Sequence, residues 1–330
     1  MDRVKIGFIG CGGISFKHLR HMKEIENVEI KGIFDPNKEN VEKFLKEAGE
    51  NVEVCENEEE VVKSGIDGVV ICSPHTFHFQ QMKLALENGV NVLVEKPAVV
   101  SYEEAVELKK LVEKSKKAVV VGYQRHYLPV IHGARKIIEE GKLGEINFIS
   151  GYLAQNWVEL IKERKGKWNW RLLPEFSGKG QLTDSGSHFV ALLFFLTGLN
   201  PERVSAFIDF KGEKVDINTG FLVNFRENVI GSFAILGIDT GFREKMVIWG
   251  ENGVMKISPS DNSFLVHYKG EENPVKIPEE KIEVKNPSQD LIKCITSHKK
   301  PETSLDIVEK VALLSDKIYE AFYQNSIVKV

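Results

Sequence analysis

The sequence predicts an α/β protein in two parts. Residues 1–122 read as an open parallel sheet with crossover helices, and residues 123–330 as an α+β domain on a large, mainly antiparallel open sheet. Three observations carry this. Short apolar runs alternate with amphipathic helical stretches through the first part, as βα units require. A glycine-rich turn joins the first apolar run to the first helix. After Gly144 the alternation gives way to consecutive strand-like segments with short turns, the pattern of an antiparallel sheet.

The first repeat of this pattern runs from Val4 to Asp35. Val4 to Ile9 is apolar and rich in branched residues; it ends in Gly10, Gly12 and Gly13, and Ile14 and Ser15 open a helix. A second apolar run starts at Val28 and ends in Asp35, about 25 residues after Gly10. Strand, glycine turn, helix, strand and terminal carboxylate follow in the order of a dinucleotide-binding βαβ unit. Gly10 permits the tight turn. Gly12 has no Cβ, so the backbone can approach a pyrophosphate, whose charge the helix N-terminus receives. Ser15, at the third position of the fingerprint, is small enough for close helix–strand packing. Asp35 is placed to accept hydrogen bonds from both ribose hydroxyls and would repel a 2′-phosphate. Pro36 and Asn37 offer no arginine instead, and Lys38 is the nearest cation, so NAD is expected over NADP. A glycine-rich turn that binds nothing would carry many of the same residues.

The remaining elements of the first part follow in order. A polar helix is expected over 37–48, a short strand over 52–55, and a capping box at Asn57 and Glu60. Residues 68–72 are apolar throughout, as a strand buried on both faces must be. Ser73-Pro74-His75 ends that strand, and a helix runs on to about Asn88, where Gly89 stops it. The next strand covers 91–95 and ends in Glu95-Lys96-Pro97. Ser101 and Glu104 form a second capping box ahead of a helix with Ala105, Leu108, Leu111 and Val112 on one face, and residues 118–122 close the series.

Ligands of such sheets lie beyond the carboxyl ends of the strands. The informative residues are therefore Asp35, then Ser73, Pro74 and His75, then Glu95 and Lys96, then Tyr123, Gln124 and Arg125. A lysine that leaves a buried strand ahead of a proline is fixed in direction by the backbone. Position alone also allows Lys96 to be a surface lysine paired with Glu95. Pro97 is open to a cis bond, although most X–Pro bonds are trans.

In the second part a helix is expected over 127–140, ending at Gly141. Strands are expected over 145–152, 203–210, 220–225, 229–236, 245–249 and 254–257, and helices near 288–298 and 305–323. The last helix aligns Val311, Leu314, Ile318 and Phe322 on one face. A broad sheet with helices on one face has another face to bury, so a homodimer or homotetramer joined through that sheet is expected.

One segment interrupts the strands: Trp168-Asn-Trp170-Arg171, then a glycine-rich approach to Asp184 and His188, then an apolar helix over 189–196. Asp184 and His188 stand four apart, which places both on one face if the helix already includes them. The helix dipole disfavours a charged imidazole by about 0.3–1 kcal/mol, and the carboxylate acts oppositely by a similar amount. The histidine would then stay near neutrality, as a general base requires. Asp184 as a helix cap and His188 as a core histidine is the competing account of the same residues.

Composition excludes several classes. The 330 residues carry 44 Lys and Arg against 48 Asp and Glu, with no basic block and no apolar run long enough to span a bilayer. Neither nucleic acid nor membrane is an expected partner. The chain enters its first strand almost at once, leaving no room for a signal peptide. The four cysteines have neither metal-ligand spacing nor a disulfide framework pattern, so free thiols and a cytoplasmic location are expected. Cys11 reads as a small filler in the glycine turn rather than a nucleophile.

These residues resemble the Gfo/Idh/MocA family of NAD(P)-dependent oxidoreductases over essentially the whole chain. The resemblance rests on Gly10-Cys-Gly-Gly-Ile-Ser15, Ser73-Pro-His-Thr-Phe-His78, Glu95-Lys96-Pro97, Gly122 to Pro129, Gly141-Lys-Leu-Gly144 and Gly178 to His188, in that order. It implies an N-terminal Rossmann domain, a C-terminal domain on a large mainly antiparallel sheet, and sugars, sugar derivatives or cyclitols as substrates. It implies catalytic roles for Lys96, Asp184 and His188. On that pattern Gly10 to Ile14 and Asp35 hold the pyrophosphate and ribose, while Ser73, Pro74, His75, His78, Glu95, Lys96 and Gln124 lie near the nicotinamide. Tyr123, Arg125, Trp170 and Arg171 join the catalytic three as expected substrate contacts; Trp170 also fits a core position. Three residues depart from the family's pattern: His75 stands where Asn is usual, His126 where Arg is frequent, and Ala191 where an acid is common. An NAD-dependent glycoside hydrolase working by transient oxidation, or a non-catalytic sensor, would carry much of the same pattern.

Overall fold

The computed structural model describes residues 3–49, 51–164 and 166–330. Its elements run β1 (Val4–Ile9), α1 (Gly13–Lys23), β2 (Val28–Phe34), α2 (Lys38–Ala48), β3 (Glu53–Val54), α3 (Glu58–Lys63), β4 (Gly68–Ile71), α4 (His78–Glu87), β5 (Asn91–Val94), α5 (Tyr102–Ser115) and β6 (Val119–Val121). They continue α6 (Pro129–Glu139), β7 (Ile146–Ala154), α7 (Trp157–Glu163), α8 (Pro174–Ser177), α9 (Gly186–Thr197), β8 (Pro201–Asp209), β9 (Asn218–Phe225), β10 (Ile230–Leu236), β11 (Arg243–Gly250) and β12 (Gly253–Ser258). The last are β13 (Ser263–Tyr268), β14 (Val275–Lys276), α10 (Pro287–Ser297), α11 (Leu305–Gln324) and β15 (Val328–Lys329). They sort into two compact units, the first formed by Met1–Val99, Glu103–Tyr127 and Glu283–Leu305, the second by the rest.

The first unit holds a six-stranded parallel sheet in the order β3-β2-β1-β4-β5-β6. The order reverses between β2-β1 and β4-β5, the switch point at which such sheets bind ligands. β4 is buried along its whole length, as its unbroken apolar sequence demands. Helix starts are chemically encoded: Asn37 Oδ1 accepts from Glu39 N at 2.9 Å, and Asn57 Oδ1 from Glu60 N at 3.0 Å. Phe8, Leu19, Met22, Ile33, Phe44 and Leu93 form the core with Leu291 and Cys294 of α10. Helix α10, far along the chain, therefore completes the first unit by packing on α1, β5 and β6.

The second unit holds a nine-stranded sheet in the order β14-β13-β12-β11-β7-β10-β9-β8-β15. Its pairings are antiparallel except β7 with β10, which run parallel because the long connection between them carries α7 to α9, β8 and β9. The expected sheet is thus mixed, mainly antiparallel, and three short strands the sequence pattern does not announce, β13, β14 and β15, extend its edges. Helix α9 is apolar on every side and almost wholly buried. Gly151 of β7 admits it closely, since a Cβ there would lie 2.7 Å from the Phe189 ring. On the sheet's opposite residues Tyr152, Phe207, Leu222 and Ile230 are exposed.

Candidate active site

In the first unit the glycine turn separates two demands. Gly10 has φ of 87°, and a Cβ on it would sit 2.7 Å from the backbone of Cys72 and Ser73. Gly10 is therefore required by the fold. At Gly12 and Gly13 an added Cβ would meet nothing within 4 Å, so internal packing does not explain these glycines. Gly12 caps α1 with no side-chain hydrogen bond, and the first turn carries no acid. The result is an open helix N-terminus walled by bare backbone, which fits a pyrophosphate. Across the turn, Asp35 accepts from Cys11 N at 2.7 Å and from Asn37 N at 2.8 Å, with Asn40 Nδ2 3.2 Å from Oδ2. The ribose-binding carboxylate expected at this point is thus held rigidly beside the glycines. Burial, with Asp35 nearby, pushes the Cys11 thiol pKa up, consistent with a filler.

At the end of β4, Ser73 donates to Gln81 Oε1 at 2.5 Å, and Gln81 donates to Glu58 at 2.5 Å. His75 is buried, with its ring 5.8 Å from that of His78. His78 corrects one expectation. It is fully buried, with Nδ1 2.8 Å from the Pro97 carbonyl and Nε2 2.9 Å from the Ser73 carbonyl, so its nitrogens tie two turns together rather than face a nicotinamide.

Glu95 is corrected in the same way. Only 6% exposed, it receives His18 Nε2 at 2.9 Å on Oε1, while Oε2 accepts from Lys96 N at 3.2 Å; His18 Nδ1 is 3.0 Å from Ser288 Oγ. Gly122 is bare because a Cβ would fall 2.7 Å from that carboxylate. His18 and Ser288 were not legible as site residues, since their partner is distant in sequence. Lys96 emerges from this turn through a cis Lys96–Pro97 bond. At the end of β6, Tyr123 is 1% exposed and lies 5.5 Å, ring to ring, from His126, while Gln124 and Arg125 are half-buried.

In the second unit, Asp184 and His188 do not share helical spacing. Helix α9 starts at Gly186, so Asp184 belongs to the preceding turn, bonded N to Gly180 O at 2.9 Å, and only His188 is helical. The glycines upstream draw that turn back over Asp216 instead of extending the helix. Asp216 is wholly buried and accepts from Gly180 N at 2.8 Å, from Leu182 N at 2.7 Å and from Tyr319 OH. Burial pushes its pKa up against the pull of these donors.

The Asp184 carboxylate is held from two sides. Trp157 Nε1 donates to Oδ2 at 2.8 Å and Arg171 Nε donates to the same oxygen at 3.0 Å. The Arg171 guanidinium lies 4.5 Å from the Trp168 ring and 4.3 Å from the Trp170 ring. Trp170 is thus a platform for Arg171, and Arg171 braces Asp184. Trp157 escaped the sequence reading because helix α7 was not expected; a buried indole N–H in need of an acceptor was its only signal. His188 is half-buried on the first turn of α9.

A parallel sheet with an open glycine cradle and an anchored ribose acid defines a dinucleotide-binding oxidoreductase unit. The family model for the oxidoreductase family with NAD-binding Rossmann fold matches residues 4–123, and that for the GFO/IDH/MocA C-terminal domain matches residues 131–256. The chain belongs to the Gfo/Idh/MocA oxidoreductase family. It is 31% identical over 195 residues to glucose-6-phosphate 3-dehydrogenase of Bacillus subtilis, a match spanning 58% of this chain and about half, 53%, of that relative. It is 26% identical over 293 residues to 2,7-anhydro-N-acetylneuraminate hydratase of Mediterraneibacter gnavus, covering 83% of this chain and 75% of the other. The fold also matches a solved levoglucosan dehydrogenase complex with NADH, with a TM-score of 0.86 at 20% identity over 100% of this chain and 99% of that one.

Proposed function

We propose that this protein oxidises a secondary alcohol of a sugar, sugar derivative or cyclitol with NAD, or runs the reverse reduction. The observation that carries the reading is the pair Gly12 and Gly13, glycines with open space where a side chain would be, facing an uncapped helix N-terminus beside Asp35. Residues 1–122 then hold the cofactor, and residues 123–330 supply the substrate-binding groups. When bound, NAD supplies the hydride acceptor.

The chain's own residues supply the rest. His188 takes the hydroxyl proton as the carbon gives up its hydride, a contribution typically worth about 10²–10⁴-fold. Lys96 hydrogen-bonds the same oxygen and stabilises the negative charge that develops there. Asp184, braced by Arg171 and Trp157, accepts from a neighbouring hydroxyl and fixes the ring. Arg125 and Gln124, half-buried after β6, reach the ligands of the first unit, while the buried Tyr123 beside them supports that turn. Asp35 favours NAD over NADP. The dehydrogenase relative acts on a sugar phosphate, which supports the sugar class.

The hydratase relative favours a second reading in which oxidation is transient and no NADH accumulates. The exposed Tyr152, Phe207, Leu222 and Ile230 of the large sheet support a homodimer or homotetramer joined through it. The four free cysteines fit a cytoplasmic setting, and among the described residues no helix is long and apolar enough to cross a membrane. The test is NADH absorbance with a panel of aldoses, cyclitols, sugar phosphates and uronates, NADP in parallel, and product analysis by mass. NADH formation with any of them supports dehydrogenation. Product without NADH supports the second reading, and no product from any substrate contradicts both.

A further inference from the structure

His78 is the one buried histidine whose two ring nitrogens both meet backbone carbonyl oxygens, among the hydrogen bonds of the described residues. Nδ1 lies 2.8 Å from Pro97 O and Nε2 lies 2.9 Å from Ser73 O, and the residue is 0% exposed. A carbonyl oxygen only accepts, whereas a neutral imidazole donates from one nitrogen and presents a lone pair on the other. Neither neutral tautomer can satisfy both contacts: one lone pair would face an oxygen lone pair at hydrogen-bond distance, with no water to relieve it. Only the doubly protonated ring supplies two donors.

The two carbonyls belong to the two turns that end β4 and β5. Pro97 directly follows Lys96, so a bond at its carbonyl restrains the turn from which that side chain leaves. The other side of the same turn is held by Glu95, whose carboxylate accepts from Lys96 N at 3.2 Å and from His18 at 2.9 Å. We propose that His78 is a positioning residue for Lys96, a buried imidazolium that clasps the Ser73 turn to the Pro97 turn.

The charged and titratable groups facing the ring are Glu95, which favours its charge, Lys96, which opposes it, and the neighbouring His75 ring at 5.8 Å. Burial pushes the His78 pKa down, and the two carbonyl bonds and Glu95 push it back up. Two acceptors at bonding distance decide for the charged ring, because losing the proton costs a bond and creates a repulsion at once.

The positioning role rests on the reading of Lys96 as a donor to the substrate oxygen; the protonation state does not. The full chain, labelled with ¹⁵N-histidine, is titrated from pH 6 to pH 9 and its nine histidine rings are followed by long-range ¹H–¹⁵N correlation. His78 is assigned by its loss in His78→Gln, or by contacts to Pro97 and Ser73 if that variant does not fold. Two protonated ring nitrogens at pH 8 are expected; a ring with one unprotonated nitrogen overturns the clasp. His78→Gln is further expected to lower kcat by on the order of 10²-fold, the scale of a misplacement of about 1 Å, with NAD affinity by calorimetry changed less than about threefold. Should the variant not fold, His78→Asn takes its place. Unchanged kcat in a folded variant overturns the positioning role even where the ring proves charged.

Discussion

Arg171 Nε donates to Asp184 Oδ2 at 3.0 Å, with the two side chains only 19% and 4% exposed. The pair is part-buried, and the arginine is clamped by two indole rings. A lysine would keep the charge but lose both the planar stack and the directed Nε–H. Arg171→Lys is expected to cost about 1.5–3 kcal/mol in urea unfolding, the scale of a hydrogen bond to a charged group, and to lower kcat/KM. A variant with unchanged stability and a raised KM alone would make Arg171 a substrate contact instead.

The two kinds of glycine in the first turn separate folding from binding. Gly12→Ala places a Cβ in open space, so the thermal midpoint is expected to stay within a few degrees of the parent while NAD affinity falls at least tenfold by calorimetry. Gly10→Ala drives a Cβ into the Cys72 and Ser73 backbone at a positive φ, and is expected to lower the midpoint strongly. Equal NAD affinity in folded Gly12→Ala and parent would remove the cradle from the account.

Much of the first unit was legible because its signals are local. Val4–Ile9, Gly10 to Gly13 and Asp35 stand in one short stretch, and the Asn37 and Asn57 caps lie within a turn of the groups they bond. What escaped depends on partners far apart in sequence. Helix α10 carries an ordinary amphipathic pattern that does not say which sheet it covers. His18 meets Glu95 and Ser288, and Asp216 meets Gly180 and Tyr319, across gaps that no periodicity spans. His78 was readable as polar near a strand end, but its direction is set by two carbonyls. Asp184 and His188 were identified as a pair, whereas their shared helical face failed because hydrogen bonds to Asp216 fold the turn before the helix begins.

The buried Glu95–His18 pair makes a signed prediction for pH. Burial alone would raise the Glu95 pKa; the hydrogen bond and charge of His18, with Lys96 and its amide, outweigh it, and the carboxyl titrates below its ordinary 4.5. A depressed carboxyl pKa contributes stability above the unfolded value, and that contribution is lost as pH falls through the folded value. Relative to the parent, His18→Asn is expected to be less stable at pH 7, with the gap narrowing as the urea midpoint is followed down to pH 3. A gap that stays constant with pH would show that His18 acts through packing alone.

The most direct test of the central claim is the rate of NADH formation, followed by absorbance, for the parent and His188→Ala on the best substrate of the sugar and cyclitol panel. The account predicts NADH formation by the parent and a fall in kcat of about 10²–10⁴-fold in the variant, with NAD binding retained by calorimetry. A variant that turns over at the parent's rate would contradict the assignment of His188 as the base.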